Sequence, residues 1–244
     1  MRSAIKRLIV IPTYNEASNV DVLIPRLFKY IPDCSILIVD DGSPDGTSDL
    51  CLKLKEKFPQ LHLMNRGGKK GFASAYIQGF RVGLNNGYEE IIQMDADLSH
   101  RVRDLAKMIA AKSSDPSIEV IIGSRWIPGG TTENWPIQRQ LLSRTANAYV
   151  ELMLGLHVSD CTGGFRIYSS ETLRKINLDE IKSEGYSFQI EMTRAVNKVG
   201  AKIIEVPITF RERESGVSKM SQSIVREAMF RVTIWGLKRF LRLK

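Results

Sequence analysis

The first half of the chain alternates between short apolar segments, rich in β-branched residues, and longer segments with the spacing of helices. The apolar segments predict buried strands at residues 8–11, 36–39, 61–64, 91–94 and 120–122. The segments between them predict helices at residues 20–30, 48–58, 72–84 and 104–112. Strands that alternate with helices of this length favour an α/β fold, with a mostly parallel central sheet flanked by helices.

Length and composition fit a single domain. With 244 residues, of which 43% are apolar and 25% charged, the chain is long enough to bury a proper core. No apolar stretch approaches the roughly 18 residues that predict a membrane-spanning helix. The three cysteines have no CxxC spacing, which indicates a reducing compartment and no zinc site. We therefore expect a cytoplasmic protein.

The second half of the chain is less regular. We expect a long helix at residues 137–154, another at residues 188–199 and a pair of strands within residues 202–210. In the first half, Thr47 and Ser48 are candidate N-caps of the second helix, and Pro25 is expected to kink or shorten the first.

Polar residues follow the predicted strands where each strand ends. Carboxylates come after three of them: Glu16 after the first, Asp40 and Asp41 after the second, and Asp95 and Asp97 after the fourth. Ligands of open α/β sheets bind at the carboxyl ends of the strands, near the point where strand order reverses. Clustered carboxylates need cations or hydrogen-bond donors, and hard oxygen ligands around a diphosphate favour Mg²⁺ or Mn²⁺. The sequence therefore predicts a site at this edge where a divalent cation holds a diphosphate.

A basic, glycine-rich tract follows the third predicted strand, at residues 65–72. Its backbone N–H groups suit an anion at a helix N-terminus, but no Ser or Thr follows the lysines as a Walker A sequence requires. A phosphate-facing loop and an ordinary basic turn both remain open. No GxGxxG follows the first strand, which disfavours a dinucleotide dehydrogenase.

Several motifs, in order over about the first 220 residues, carry a family resemblance. They read PTYNE at residues 12–16, DDGSPDGT at 40–47, MDADLSH at 94–100, DCTGGFR at 160–166, GYSFQIEM at 185–192 and PITF at 207–210, followed by Arg213, Gly216, Ser218 and Lys219. These segments closely resemble family 2 glycosyltransferases of the GT-A fold and, more narrowly, polyprenol-phosphate (dolichol-phosphate) mannose synthases. The resemblance implies an inverting enzyme that transfers mannose from GDP-mannose to a polyprenyl or dolichyl phosphate.

The resemblance also implies roles for the matching residues. Asp97 would be the direct metal ligand, with Asp95 the second candidate; Ser99 stands where some relatives supply a further metal-binding side chain, and we expect little from it. Arg125 and Arg213 would act with Asp97 in catalysis by neutralising phosphate oxygens. The nucleotide-sugar would contact Pro12, Tyr14, Glu16, Val39, Asp41, Asp95, Ala96, Asp97, Arg125, Gln189, Glu191, Arg213 and Lys219. The acceptor phosphate would contact Arg139 and Ser143, which have the family's spacing.

The implied chemistry needs no general base. A lipid phosphate is already ionised at neutral pH, so positioning supplies much of the catalysis, and in-line attack would give a β-linked sugar phosphate from an α-linked donor. A metal ion and the arginines would stabilise the charge of the departing nucleoside diphosphate. We therefore assign no proton transfer to His100, and we expect structural roles for His62 and His157 as well.

The net charge of +8 is concentrated at the C-terminus, where residues 222–244 hold six basic residues against one acid. Apolar residues such as Phe230 and Trp235 alternate with these charges, as in a basic amphipathic helix that lies on a membrane. A helix packed on the domain with a solvated basic face is the alternative. We divide the chain into a GT-A catalytic domain, residues 1–220, and this helix, residues 221–244. We expect peripheral association with the cytosolic face of a membrane, through the helix or a membrane-protein partner.

Three other functions compete with this one. A related transferase would use UDP-glucose or another nucleotide-sugar with the same acceptor. A non-catalytic module would bind nucleotide without turnover, and the presence of Asp95, Asp97 and Arg213 argues against it. The basic tail would suit nucleic acid if its charges formed a solvated strip, but bulky apolar residues interrupt them, so we expect no nucleic-acid partner.

Overall fold

The computed structural model describes residues 5–212 and 222–241. Its strands are β1 (Arg7–Thr13), β2 (Cys34–Asp40), β3 (Leu61–Asn65), β4 (Glu90–Gln93), β5 (Val120–Ser124), β6 (Thr131–Glu133), β7 (Arg166–Ser169), β8 (Ile203–Pro207) and β9 (Thr209–Arg211). Seven of them form one sheet in the order β3-β2-β1-β4-β7-β5-β8, and β6 and β9 form a second, two-stranded sheet. The large sheet is parallel except at β7, which runs antiparallel to both β4 and β5.

Helices connect the strands and cover both faces of the large sheet. They are α1 (Ala17–Tyr30), α2 (Thr47–Lys57), α3 (Phe72–Asn85), α4 (Val102–Ser114), α5 (Ile137–Leu154), α6 (Ser170–Lys175), α7 (Gly185–Lys198) and α8 (Gln222–Phe240). A short 3₁₀ helix, Leu178–Glu180, precedes α7. The predicted α/β class and the mostly parallel sheet are confirmed.

Two apolar cores lie on opposite faces of the large sheet, because successive strand residues point to opposite faces. In β1, Leu8 and Val10 enter one core, whereas Ile9 and Ile11 enter the other. On the first face α3 packs closely on β1: a Cβ at Gly79 would stand 2.2 Å from a methyl carbon of Val10. This close packing fixes the height of α3 above the sheet, and α3 carries a side chain that reaches the site.

The last described helix, α8, packs on α5 and α7. A Cβ at Gly236 would stand 2.5 Å from the terminal methyl group of Met153, so the absence of a side chain there permits the close approach of α8 to α5. Val232 of α8 is buried in the first core. Among the described residues, no helix is both long and apolar enough to cross a membrane.

Most of the predicted elements are confirmed within a few residues, but two local predictions are wrong. The cap of α2 is Gly46, in the left-handed region at φ 85°, and not Thr47 or Ser48. Pro25 lies inside α1, which is not shortened there and continues to Tyr30; the carbonyl that loses its partner belongs to Asp21, an exposed residue, where water can replace the missing bond. The two strands within residues 202–210 do not pair with each other: β8 pairs with β5 and β9 with β6.

Candidate active site

The strand order reverses at β1, which lies between β2 on one side and β4 on the other. Pro12 is near the end of β1, the segment after β1 holds Tyr14 and Glu16, and the segment after β4 holds Asp95 and Asp97. A crevice at such a reversal, outside the carboxyl ends of the strands, is where α/β sheets bind ligands. The sequence placed the donor site on these two segments, and the fold brings them together across the reversal.

Asp97 is oriented by the residue two positions after it. Leu98 has a φ of 61°, and this left-handed turn brings Ser99 back towards the carboxylate. The backbone N–H and the hydroxyl of Ser99 both donate to Asp97 Oδ1, at 3.1 and 2.5 Å. Ser99, the third candidate metal ligand, is therefore placed as a donor that orients Asp97.

Asp95 is held by a tyrosine from α3. The hydroxyl of Tyr76 donates to Asp95 Oδ1 at 2.7 Å, and the Tyr76 side chain is fully buried against Phe188. Burial, and next the charge of Asp95, raises the pKa of Tyr76 well above its usual value. The phenol therefore remains a protonated donor at physiological pH, and Asp95 remains its acceptor. No local sequence pattern pointed to Tyr76, because its partner is 19 residues away and on another element.

His100 follows Asp95 and Asp97 in the same turn and bonds to its backbone. Its Nδ1 accepts from the backbone N–H of Asp95 at 3.1 Å, and its ring stacks on Phe165 with 4.5 Å between centroids. Burial lowers the pKa of His100 to about 4, although the charge of Asp97 opposes this shift. The imidazole is therefore neutral at physiological pH, and these contacts agree with the structural role expected for it.

The acidic segment after β2 folds mainly onto itself. Asp40 accepts from Thr13, Ser43 and Ser48, and Asp45 accepts from the N–H of Ala17 at the start of α1. Burial alone would raise the pKa of Asp40, but the hydrogen bonds, led by those from Ser43, hold it below its usual value. These carboxylates stay ionised and fix the loop that borders the crevice.

Asp41 anchors the glycine-rich tract. One oxygen of its carboxylate accepts from Arg66 Nε at 2.5 Å, and the other accepts from the backbone N–H groups of Lys70 and Gly71. These are the N–H groups that a phosphate would need in this loop, and the side chain of Asp41 takes them. Of the two open interpretations, the ordinary turn fits these contacts. The ammonium of Lys69 lies 4.8 Å from the ring centroid of Tyr14, at the edge of the crevice.

Val39 and Glu191, two predicted nucleotide-sugar contacts, have structural surroundings in the described residues. The side chain of Val39 is fully buried in the first core. The carboxylate of Glu191 accepts from the backbone N–H groups of Lys182 and Ser183, which ties the segment before α7 to that helix. Glu191 therefore holds this segment in place.

Gln189 belongs to a buried amide pair beside Asp95. Its side-chain oxygen accepts from the amide of Gln93 at 2.9 Å. A Cβ at Gly164 would stand 3.3 Å from Gln189 Nε2 and 3.6 Å from Asp95 Oδ2. Gly164 therefore lies directly against both polar groups.

Arg125, at the end of β5, is held by the same segment. Its guanidinium makes two hydrogen bonds to the fully buried Asp160, at 2.7 and 2.6 Å, and a third to Thr162. Arg166 is fully buried as well and donates to the carbonyls of Gly163 and Cys161. The two arginines therefore hold the loop of residues 160–163 in place, and Asp160 balances the charge of Arg125.

An open cavity lies between α5, α8 and the end of β5. Arg125, Arg139 and Ser143 all line it, so the fold joins the predicted acceptor residues to one predicted catalytic arginine. Arg139 also pairs with Glu212. The rest of the lining is mostly apolar and consists of Trp135, Leu142, Ala146, Tyr149, Val150, Thr162, Ile190, Ala228, Met229 and Val232.

Two predicted site residues, Arg213 and Lys219, lie outside the described residues. Within residues 5–212 and 222–241, no group of three His, Cys, Asp or Glu side chains converges as a complete metal site. Asp95 and Asp97 are still a suitable donor set, because Mg²⁺ and Mn²⁺ in nucleotide sites take one or two carboxylates and complete their shell with phosphate oxygens and water.

Known proteins resemble this chain in sequence and in fold. The model of glycosyl transferase family 2 matches residues 8–176. The polyprenol monophosphomannose synthase of Mycolicibacterium smegmatis is 47% identical over 98% of this chain and 89% of its own. The undecaprenyl-phosphate mannosyltransferase of Micrococcus luteus is 45% identical over 94% of this chain and 93% of its own.

Among solved structures, the fold matches that of glucosyl-3-phosphoglycerate synthase from Mycobacterium tuberculosis with UDP. The TM-score is 0.68 at 15% identity, over 98% of this chain and 81% of that one. The mannosyltransferase PcManGT from Pyrobaculum calidifontis, solved with GDP-Man and Mn²⁺, matches with a TM-score of 0.62 at 16% identity, over 99% of this chain and 66% of that one.

The fold and the crevice define a glycosyltransferase with the GT-A architecture. The chain belongs to glycosyl transferase family 2. Both the family resemblance and the narrower resemblance to polyprenol-phosphate mannose synthases are confirmed.

Proposed function

We propose that this protein transfers mannose from GDP-mannose to a polyprenyl phosphate and releases GDP. The observation that carries the proposal is the cavity between α5 and α8, where Arg139 and Ser143 share one space with a mostly apolar lining. A phosphate on an apolar chain has this chemistry: charge at one end and hydrocarbon at the other. The printed names of the two curated relatives support both the mannosyl group and the polyprenyl phosphate.

The donor would lie in the crevice between the segments after β1 and β4. Pro12, Tyr14 and Glu16 would line the nucleotide pocket, with Asp95 beside the ribose and Asp97 facing the diphosphate. When bound, Mg²⁺ or Mn²⁺ would stabilise charge on the diphosphate, and Asp97, with Asp95 second, would hold it. The Mn²⁺ in the GDP-Man complex of PcManGT supports this choice of ion class. Arg213 and Lys219 remain proposed diphosphate contacts.

The acceptor phosphate would attack the anomeric carbon as its bond to the GDP oxygen breaks. One C–O bond forms and one breaks, the leaving group carries its electron pair away with GDP, and no proton has to move. Attack opposite to the leaving group inverts the centre, so an α-linked donor gives a β-linked mannosyl phosphate. Arg139 and Ser143 would orient the attacking phosphate, and such positioning accounts for a large part of the rate.

We place the protein at the cytosolic face of a membrane. Both helices that border the cavity expose large apolar side chains beside basic ones, an arrangement typical of helices that lie in a membrane interface. The exposed large apolar residues are Ile137, Leu141, Leu142 and Leu152 of α5, and Met229, Phe230, Ile234, Leu237 and Phe240 of α8, followed by Leu241. Insertion of this surface would bring the open side of the cavity to the level at which polyprenyl phosphates lie.

A donor panel tests the proposal. Purified protein would be incubated with polyprenyl phosphate, Mn²⁺ and one radiolabelled nucleotide-sugar at a time, and label in the organic phase would be counted. We expect transfer from GDP-mannose at a rate at least about ten-fold above that from UDP-glucose, a difference in barrier of about 1.4 kcal/mol. Transfer from UDP-glucose without transfer from GDP-mannose would show that the donor is wrong, and nucleotide binding without any transfer would favour the non-catalytic alternative.

A further inference from the structure

Trp135, just before α5, lines the acceptor cavity and carries a buried hydrogen-bond donor. The residue is 8% exposed, and its ring lines the cavity with Arg125, Arg139 and Ser143. The indole Nε1–H has no acceptor among the side chains and backbone of the described residues. A buried N–H without an acceptor destabilises a folded protein, and tryptophan usually finds a partner for it. Trp135 therefore lacks, within the described structure, an acceptor that a ligand in this cavity could provide.

The surroundings of Trp135 are positively charged. The guanidinium carbon of Arg139 lies 4.0 Å from the ring centroid of Trp135, and that of Arg125 lies 5.2 Å from it. Cations over the faces of the ring hold its plane and leave the N–H at the ring edge as a donor. Arg139 Nε is also buried and without an acceptor in the described part of the chain. Two residues that line one mostly apolar cavity thus each carry a donor without an acceptor in the described part of the chain.

We infer that the indole N–H of Trp135 donates to a phosphate oxygen of the polyprenyl phosphate acceptor, together with Arg139. The inference rests on the proposed function, since it assigns a further ligand to the same acceptor. An ionised phosphate supplies several strong acceptors and matches the local positive charge, whereas an apolar group in this position would leave both donors unsatisfied. The acceptor phosphate fits better than the donor diphosphate, because hydrocarbon has to continue along Leu142, Val150 and Val232.

Trp135→Phe tests this assignment, because phenylalanine keeps an aromatic face for both arginines and removes only the N–H and part of the ring. Trp126→Phe is the matched control. Trp126 also has a buried indole N–H without an acceptor in the described residues, and it also lies beneath Arg125, but it does not line the cavity. We expect Trp135→Phe to raise the KM for polyprenyl phosphate about ten-fold, the usual effect of losing a hydrogen bond to a charged group, with the KM for GDP-mannose within about two-fold of wild type. Trp126→Phe should change neither KM.

A titration without donor separates this inference from the proposed function. Farnesyl phosphate, farnesol and inorganic phosphate would each be titrated by calorimetry into the wild type and both variants. We expect farnesyl phosphate to bind Trp135→Phe about ten-fold more weakly than it binds the wild type, and farnesol to bind both equally. Equal binding of farnesyl phosphate to the two proteins, equal weakening of farnesol, or a rise in the KM for GDP-mannose instead would overturn the inference alone. If the wild type bound inorganic phosphate as well as farnesyl phosphate, or did not bind farnesyl phosphate, the polyprenyl acceptor itself would be wrong.

Discussion

At the scale of single residues, the two aspartates after β4 are held by different donors. Asp95 accepts from Tyr76 of α3, and Asp97 accepts from Ser99 within its own turn. A carboxylate with one oxygen held by a neighbour has a fixed orientation before any ligand binds, which lowers the cost of assembling the site. The sequence identified the two aspartates, but the residues that orient Asp95 come from elements that only the fold brings close.

Substitution of Asp97 tests the donor side of the site. Asp97→Ala should lower transfer by about a hundred-fold or more, because the charge that develops on the departing diphosphate loses its main stabilising ligand. The side chain is partly exposed and packs little, so the variant should keep its circular dichroism spectrum and thermal midpoint. Asp21→Ala, which removes an exposed carboxylate from α1, is the control for loss of charge. Near-normal turnover by Asp97→Ala would remove Asp97 from the mechanism.

His100 links stability to pH. Burial lowers its pKa from 6.5 to about 4 in the folded state, so between these values the unfolded chain binds the proton more readily. Stability from this group is therefore complete above pH 6.5 and is lost as the pH falls from there towards 4. Between about pH 7 and about pH 5 the wild type should lose about 2 kcal/mol more unfolding free energy than His100→Asn, which cannot take up the proton. Urea unfolding at both pH values measures this difference, and equal losses in the two proteins would show that His100 is not the group responsible.

At the scale of elements, local periodicity accounts for what the sequence predicted correctly. Runs of β-branched residues and helical spacing recur in each β–α unit, so the first five strands and the helices between them emerged within a few residues. The antiparallel β7 was missed, since its four residues RIYS come one residue after a glycine pair and carry no periodic signal. Its place between β4 and β5 follows from backbone pairing with both strands, which lie far away in the chain. Such long-range pairing leaves no mark in a single sequence.

The candidate site likewise contains residues that the sequence predicted and contacts that it did not. The sequence located the residues at strand ends, such as Asp95, Asp97 and Arg125, because strand ends are where an α/β sheet binds ligands. It did not show that Asp160 would pair with Arg125, or that Trp135 would lie between two guanidinium groups. Those contacts arise where β5, β9 and α5 converge, and no local spacing encodes that meeting.

If the exposed apolar side chains of α8 bind a membrane, their replacement should weaken that binding. Replacing Phe230 and Leu237, which are 67% and 51% exposed, with serine should lower binding to vesicles containing anionic lipid by about ten-fold or more, since each side chain loses apolar burial in the interface. Binding of the wild type should also weaken as salt screens the basic residues. Vesicle flotation measures the bound fraction.

Leu52→Ser on α2 is the control for this experiment, because Leu52 is 54% exposed and belongs to a helix remote from α8 in the chain. If the double variant of α8 floated as well as the wild type, or if Leu52→Ser reduced flotation equally, α8 would not be the membrane-binding element.

At the scale of the whole molecule, one chain combines a polar crevice at the reversal of strand order with an apolar cavity between two helices. Arg125 connects them, since it stands at the end of β5 and also lines the cavity. In the proposed function, the charged nucleotide-sugar would occupy the crevice and the phosphate with its apolar chain would occupy the cavity, so the two substrates would not compete for one space. The reacting atoms would meet near Asp95, Asp97 and Arg125.

The structure of the product tests the central claim most directly. GDP-mannose, with its α-linked sugar, would be incubated with polyprenyl phosphate and Mn²⁺, and the lipid product and the released nucleotide would be isolated. The anomeric configuration would be read by nuclear magnetic resonance. The account predicts a β-linked mannosyl phosphate on the polyprenyl chain and one GDP released for each mannose transferred. An α-linked product, or GDP released without mannose on the lipid, would contradict it.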